Sequence, residues 1–304
     1  MKIVMSGASG LIGSALRPAL ASQGHEVVPL VRRRPRSGER AIGWDPEAGT
    51  IDRTGGGLEG SDVVINLVGE NVFGRWTAEK KRRIRESRVN GTRLVSDTIA
   101  GLARRPSVLL AASAIGYYGN RGDEELTEQS SSGDDFLAQV ARDWEAATAP
   151  AARAGIRVVN LRFGVVLSPA GGALAKMLPP FRLGVGGPVG SGDQFLSWIA
   201  LDDAVAAILH AWTTASLAGP LNVTAPHPVT NREFAKTLGR VLGRPAVLPV
   251  PAFALRMAFG AEGAEMLLGG QRVLPARLLA SAFRFQYGEV EAALRDLLQR
   301  PAAS

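Results

Sequence analysis

Three glycines, in Gly7-Ala8-Ser9-Gly10-Leu11-Ile12-Gly13, stand between a short apolar run and a stretch of helically spaced apolar residues. The pyrophosphate of a dinucleotide needs such a place, because it approaches backbone N–H groups and the positive end of a helix where a Cβ would intrude. The spacing is G-x-x-G-x-x-G, and its strand-turn-helix setting carries the expectation; the plain alternative is an ordinary glycine turn. Which dinucleotide is decided at the end of the second strand, where an acid would take the ribose 2′-OH of NAD and an arginine the 2′-phosphate of NADP. Here the chain reads Val31-Arg32-Arg33, with no acid. A guanidinium matches phosphate geometry and stacks on adenine, so Arg32 and Arg33 point to NADP(H), with a solvated basic turn as the alternative.

The elements that must position these residues follow from periodicity. Lys2–Met5 reads as a strand, Leu11–Gln23 as a helix stopped by Gly24, and Glu26–Val31 as a second strand, which makes a βαβ unit. Val63–Val68, Val108–Ala112, Arg157–Leu161 and Leu221–Val223 read as further strands. Val89–Ala103, Asp134–Ala152 and Asp202–Trp212 read as helices. This alternation predicts an α/β fold, a Rossmann-like doubly wound parallel sheet with a smaller, mostly helical C-terminal substrate lobe. From Ser168 to Trp198 glycine and proline punctuate a loop-rich stretch suited to lining a site. Residues 1–167, with a return at about 199–225, are expected to form the cofactor domain, and 168–198 with 226–304 the substrate side.

Composition narrows the chemistry. The 304 residues exceed what one hydrophobic core usually serves, and 46% hydrophobic with 21% charged residues is the ordinary globular range. With no cysteine, thiolate nucleophiles, disulfides and cysteine-ligated metals are excluded, so redox chemistry requires a bound cofactor. His25, His210 and His227 lack metal-ligand spacing, so no metal is expected. No stretch approaches the roughly 20 apolar residues that span a bilayer, and the N-terminus has no room for a signal peptide, so no membrane partner and a cytoplasmic location are expected. The net charge of +7 raises nucleic-acid binding, but the basic residues lack interleaved aromatic platforms. Cofactor phosphates and a solvated helix face account for the charge more simply.

Several runs together resemble the extended, atypical short-chain dehydrogenase/reductases, specifically epimerase-family oxidoreductases of unknown substrate. These are Gly7–Gly13, Asn66-Leu67-Val68-Gly69-Glu70-Asn71, Arg75-Trp76-Thr77 and Ser87-Arg88-Val89-Asn90-Gly91-Thr92. Later come Ser113-Ala114-Ile115-Gly116-Tyr117-Tyr118-Gly119, Asp143-Trp144-Glu145, Arg162–Leu167, Gly192–Ile199 and Asn222–Pro226. Pro275–Leu278 and Phe283–Phe285 resemble that family's small appended domain. The resemblance implies that Leu67, Val68 and Gly69 flank the adenosine, that Arg88 meets a phosphate, and that Val165 lies near the nicotinamide. The alternative for Arg88 is a surface arginine.

The resemblance also implies a catalytic problem. Classical members use a Tyr-x-x-x-Lys pair, and anchoring on Glu145, which resembles the glutamate a turn beyond that lysine, puts Leu137 and Ala141 in the two places. Neither can move a proton. Ser113 survives at the end of a strand, where the family binds the substrate oxygen, and Tyr117 or Tyr118 could supply the phenol; the alternative is that both tyrosines only pack. Gln194, Phe195, Ser197 and Trp198 either cover the substrate or pack the lobe onto the sheet. Asp202-Asp203 reads as a helix cap. The expected function is an NADP(H)-dependent oxidoreductase or epimerase acting on a small polar metabolite. The alternative is a non-catalytic NADPH-binding sensor or partner protein, and a homodimer is compatible with either.

Overall fold

Parallel strands covered on both faces must be apolar almost throughout, and three runs meet that demand: Val63–Asn66, Val108–Ala114 and Arg157–Phe163. They lie in the computed structural model of the protein, which describes residues 1–52 and 56–299. In chain order the first half comprises β1 (Lys2–Ser6), α1 (Leu11–Ser22), β2 (Glu26–Val31), β3 (Ile42–Asp45), β4 (Thr50–Ile51), β5 (Val63–Asn66), α2 (Ala78–Ala100), β6 (Val108–Ala114), a 3-10 turn (Ile115–Tyr118) and β7 (Glu125–Leu126). Next come α3 (Phe136–Ala146), α4 (Ala149–Arg153), β8 (Arg157–Phe163), β9 (Val165–Leu167), α5 (Gly172–Arg182), β10 (Phe195–Leu196), β11 (Trp198–Ala200), α6 (Leu201–Thr213) and β12 (Gly219–Val223). The remainder is β13 (Val229–Thr230), α7 (Asn231–Leu242), α8 (Ala252–Phe259), α9 (Ala261–Leu268), β14 (Arg272–Val273), α10 (Ala276–Ala280) and α11 (Val290–Gln299).

The main sheet runs β12-β8-β6-β5-β1-β2-β3-β4, parallel throughout except for the β3-β4 pair. The chain leaves β1 towards β2 on one side and later fills the other side with β5, so a crevice opens beyond the C-terminal ends of β1 and β5. One face of the sheet is covered by α1 and α6 through Leu16, Leu20, Ala204 and Ile208, the other by α2 and α4 through Val95, Ile99 and Ala151. A further core, with Leu174, Phe181, Trp198, Phe234 and Leu294, joins α5, α7, β11 and α11. No helix among the described residues is long and apolar enough to cross a membrane.

Several elements differ from expectation for identifiable reasons. The helix expected over Val89–Ala103 runs over Ala78–Ala100: its opening turns are charged and carry no apolar period, but Thr77 caps them by accepting the Lys80 N–H at 3.2 Å. The helix expected over Asp134–Ala152 is two, α3 and α4, with Pro150 starting the second. β3 and β4 are unexpected, being short strands added at the sheet edge, and Ser113 lies next to the C-terminal end of β6. Within the expected loop after Ser168, α5 forms despite Pro179 and Pro180. Ala200, not an aspartate, precedes α6, and the buried Asp203 accepts the N–H groups of Gln286 and Tyr287 at 2.8 and 3.0 Å. It therefore ties down the C-terminal segment instead of capping its own helix.

Candidate functional site

Gly7 follows β1 directly and holds φ +67°, where a side chain is strained, and a Cβ on it would stand 2.5 Å from the Leu67 carbonyl oxygen. A Cβ on Gly13, in the first turn of α1, would collide with the Gly7 carbonyl. The turn is therefore as tight as the sequence suggests. Gly10 stands at the N-cap of α1 and offers no side chain to its amides, while Ser9 and Gly10 are exposed and Leu11 and Ile12 half-buried. Unpartnered first-turn amides facing a crevice are a ready anion site. These residues fit a dinucleotide pyrophosphate.

At the end of β2 the two arginines part ways. Arg33 is paired with Glu39, its Nη1 and Nη2 at 2.7 and 2.5 Å from the carboxylate, and that pairing draws the Glu39 carboxyl down to about 2. Arg32 is exposed and makes no hydrogen bond or ion pair among the described residues. Both line an open cavity of about 310 Å³ with Trp44, Thr50 and Asp52. Asp45, also on its wall, accepts the turn amides of Glu47 and Ala48 at 2.9 and 3.0 Å. Arg34 lines the same cavity, and it and Arg32 make no ion pair among the described residues.

Across the crevice, Leu67, Val68 and Gly69 follow β5, with Leu67 and Val68 half-buried against the two cores that sandwich the sheet. Their position is held from below by a buried chain that ties strand, helix and helix together. Ser6 Oγ donates to Asn66 Oδ1 at 2.5 Å, Asn66 Nδ2 donates to Thr92 Oγ1 at 2.7 Å, and Trp144 Nε1 donates to the same oxygen at 2.8 Å. Arg88, on α2, stacks over the Trp144 ring at 5.0 Å and donates one N–H to the Ile84 carbonyl at 3.0 Å. It lies close against Gly69, and burial pulls its guanidinium down to about 10. An arginine so placed, with no ion pair among the described residues, has donors left for an anion.

At the C-terminal end of β6 the arrangement departs from a catalytic tyrosine and lysine. Leu137 packs on Gly116, and Ala141 is buried. Beneath them Arg162 on β8 grips Glu145 on α3, Nε to Oε1 at 2.7 Å and Nη2 to Oε2 at 2.8 Å. Ser113 Oγ donates to the same Oε1 at 2.7 Å and is only 2% exposed. Arg162 Nη1 donates to the Tyr118 hydroxyl at 2.9 Å, which donates onward to Asn222 Oδ1 at 2.7 Å. Burial pushes the Tyr118 phenol up to about 12, against the opposing pull of Arg162. Burial also works against the Arg162 charge, but the Glu145 hydrogen bonds and charge outweigh it and hold the guanidinium firmly protonated.

Tyr117 is placed differently. Its ring lies under the Arg162 guanidinium at 3.5 Å, it is half-buried, and its hydroxyl has no partner among the described residues. Val165, half-buried in β9, continues from β8 and pairs with Trp198. Gln194 donates to the carbonyls of Val189 and Leu267, Ser197 to that of Gln271, and the buried Trp198 indole to that of His227. Phe195 stacks with Arg272 at 5.2 Å. Sequence reasoning overlooked the joining of Glu145, Arg162 and Asn222. Each stood in a recognisable motif, but only the pairing of β8 with β6 and β12 brings them together.

A family model described as "NAD dependent epimerase/dehydratase family" matches residues 3–223, and one described as a domain of unknown function (DUF1731) matches residues 250–297. Epimerase family protein Mb2239 of Mycobacterium bovis is 44% identical over 98% of each chain, and epimerase family protein YfhF of Bacillus subtilis 40% identical over 98% of each. The crystal structure of human epimerase family protein SDR39U1 (isoform2) with NADPH superposes with a TM-score of 0.91, at 37% identity, over 99% of this chain and 100% of that one. By its sheet, its glycine turn and these relatives, the chain belongs to the NAD-dependent epimerase/dehydratase family.

Proposed function

We propose that the protein is an NADP(H)-dependent oxidoreductase or epimerase of the extended short-chain dehydrogenase type acting on a small polar metabolite. The observation that carries this reading is the glycine turn between β1 and α1 with the unpaired Arg32 standing at the end of β2. The NADPH in the human SDR39U1 structure supports the same cofactor for this chain. Gly7, Ser9, Gly10, Leu11, Ile12 and Gly13 would hold the pyrophosphate, Arg32 the 2′-phosphate with Arg33 beside it, Leu67, Val68 and Gly69 the adenosine, and Arg88 a phosphate. Val165 would form the apolar wall at the nicotinamide end.

When bound, the nicotinamide supplies or accepts hydride. The chain's own part is then to hold the substrate oxygen and move its proton. Of the three candidates, the Ser113 hydrogen is directed to Glu145 and the Tyr118 hydroxyl is bonded on both sides, which leaves Tyr117 as the phenol with a free hydroxyl. Ser113 acts by holding Glu145, and through it Arg162, against the Tyr117 ring. The test is NADPH oxidation with a panel of carbonyl compounds and sugar nucleotides: a substrate is found, Tyr117→Phe abolishes its turnover, and Tyr118→Phe retains it.

One observation favours a second reading, a non-catalytic NADPH-binding sensor or partner protein. Ser113, Glu145, Arg162 and Tyr118 bond one another in a largely buried network, and the places that the resemblance gives to the Tyr-x-x-x-Lys pair hold Leu137 and Ala141. Tight NADPH binding with no oxidation across that panel would support it.

A further inference from the structure

Of the nine large apolar side chains that stand exposed among the described residues, all but Met1 and Leu279 fall in three segments. Phe73 lies after β5, Leu183 and Val185 after α5, and Val247, Leu248, Phe253 and Met257 lie before and on α8. The segments are contiguous. Gly190 N–H donates to the Val250 carbonyl at 2.9 Å and Val250 N–H to that of Pro188 at 2.8 Å. The rings of Phe73 and Phe259 meet edge to face at 4.9 Å, and Lys176 Nζ sits 3.9 Å over Phe73. Exposures of 78% at Leu183, 74% at Val247 and Met257 and 67% at Phe253 mark side chains that protrude rather than line a groove.

Cations are in excess on this surface. Residues 71–78, 169–192 and 243–261 contain Arg75, Lys176, Arg182, Arg244 and Arg256, and the acids that border them, Glu70, Glu79, Asp193 and Glu262, are already paired with Lys80, Arg82, Arg232 and Lys81. Arg256 reaches Glu265 at 3.3 Å, while Arg75, Lys176, Arg182 and Arg244 make no ion pair among the described residues. Protruding apolar side chains framed by unpaired cations complement an anionic bilayer surface, in which the apolar groups enter the acyl boundary and the cations meet the headgroups. A second copy fits less well, because a two-fold contact through this patch would set the same cations against each other.

We propose that this face docks on the surface of an anionic lipid membrane, a peripheral contact that needs no spanning helix. The test is flotation of the full chain with vesicles of phosphatidylcholine alone and of phosphatidylcholine with phosphatidylglycerol. The protein is expected to float with the anionic vesicles only and to be released by salt. The pairs Phe253→Ser/Met257→Ser and Arg182→Glu/Arg244→Glu are each expected to lower partitioning at least about tenfold. NADPH affinity and the thermal midpoint of both pairs should match the parent, which shows that the fold and the cofactor site are intact. No flotation of the parent, or flotation unchanged in both pairs, overturns the proposal. So does self-association in sedimentation that Phe253→Ser/Met257→Ser abolishes while the parent ignores vesicles, which would assign the face to a second copy.

Discussion

Arg162 and Glu145 form a two-pronged ion pair, at 2.7 and 2.8 Å, with side chains only 3% and 13% exposed, directly below the helix positions where Leu137 and Ala141 stand. A charge removed from water is tolerable only when its partners answer it fully, and here Ser113, Tyr118 and the Tyr117 ring complete the shell. The pair fastens α3 to β8 and fixes the pose of Tyr117.

Breaking one side of that pair should therefore be costly and replacing both should not. Glu145→Gln leaves a buried guanidinium without its counter-charge and is expected to lower stability by about 3–5 kcal/mol in urea unfolding. The double change Glu145→Met/Arg162→Met is expected to recover most of the loss. A Glu145→Gln variant within about 1 kcal/mol of the parent would show that the pair is water-exposed in solution.

Tyr118 gives a pH signature. Its phenol is raised by burial from 10.0 to about 12 in the fold, so the folded chain keeps a proton that the unfolded chain releases. Its contribution is present in full below pH ~10 and is lost as pH climbs towards ~12. Alkaline titration of phenolate absorbance should show a late component that disappears in Tyr118→Phe. A titration in which all three tyrosines of the chain ionise together near the ordinary value would contradict the burial of this hydroxyl.

Arg88 and Arg32 should be separable by cofactor. Arg88 sits against Gly69, after β5, and as a contact to a phosphate common to both cofactors its removal in Arg88→Ala is expected to weaken NADPH and NADH alike, by roughly 10- to 100-fold for a lost charge-assisted contact. Isothermal titration with both cofactors measures this. A loss confined to NADPH would place Arg88 at the 2′-phosphate instead.

The features written in local pattern could be read from the sequence. The glycine turn, the βαβ opening, the apolar central strands and the arginines after β2 each depend on near neighbours in the chain. What escaped was either charged or long-range. The first turns of α2 carry charges instead of an apolar stripe, and β3 with β4 is too short to show a period. The link from Ser113 through Glu145, Arg162 and Tyr118 to Asn222 spans five elements that only the sheet order brings together. The difference between Tyr117 and Tyr118, adjacent in sequence, appears only as a free hydroxyl against a bonded one.

We propose that the crevice beyond β1 and β5 is an NADP(H) site read by Arg32. Comparative titration of the purified chain with NADPH and NADH tests it directly. The expected result is NADPH tighter by at least about tenfold, with the gap closing in Arg32→Ala because NADPH affinity falls and NADH affinity holds. An affinity for NADH equal to or above that for NADPH in the parent chain would contradict it.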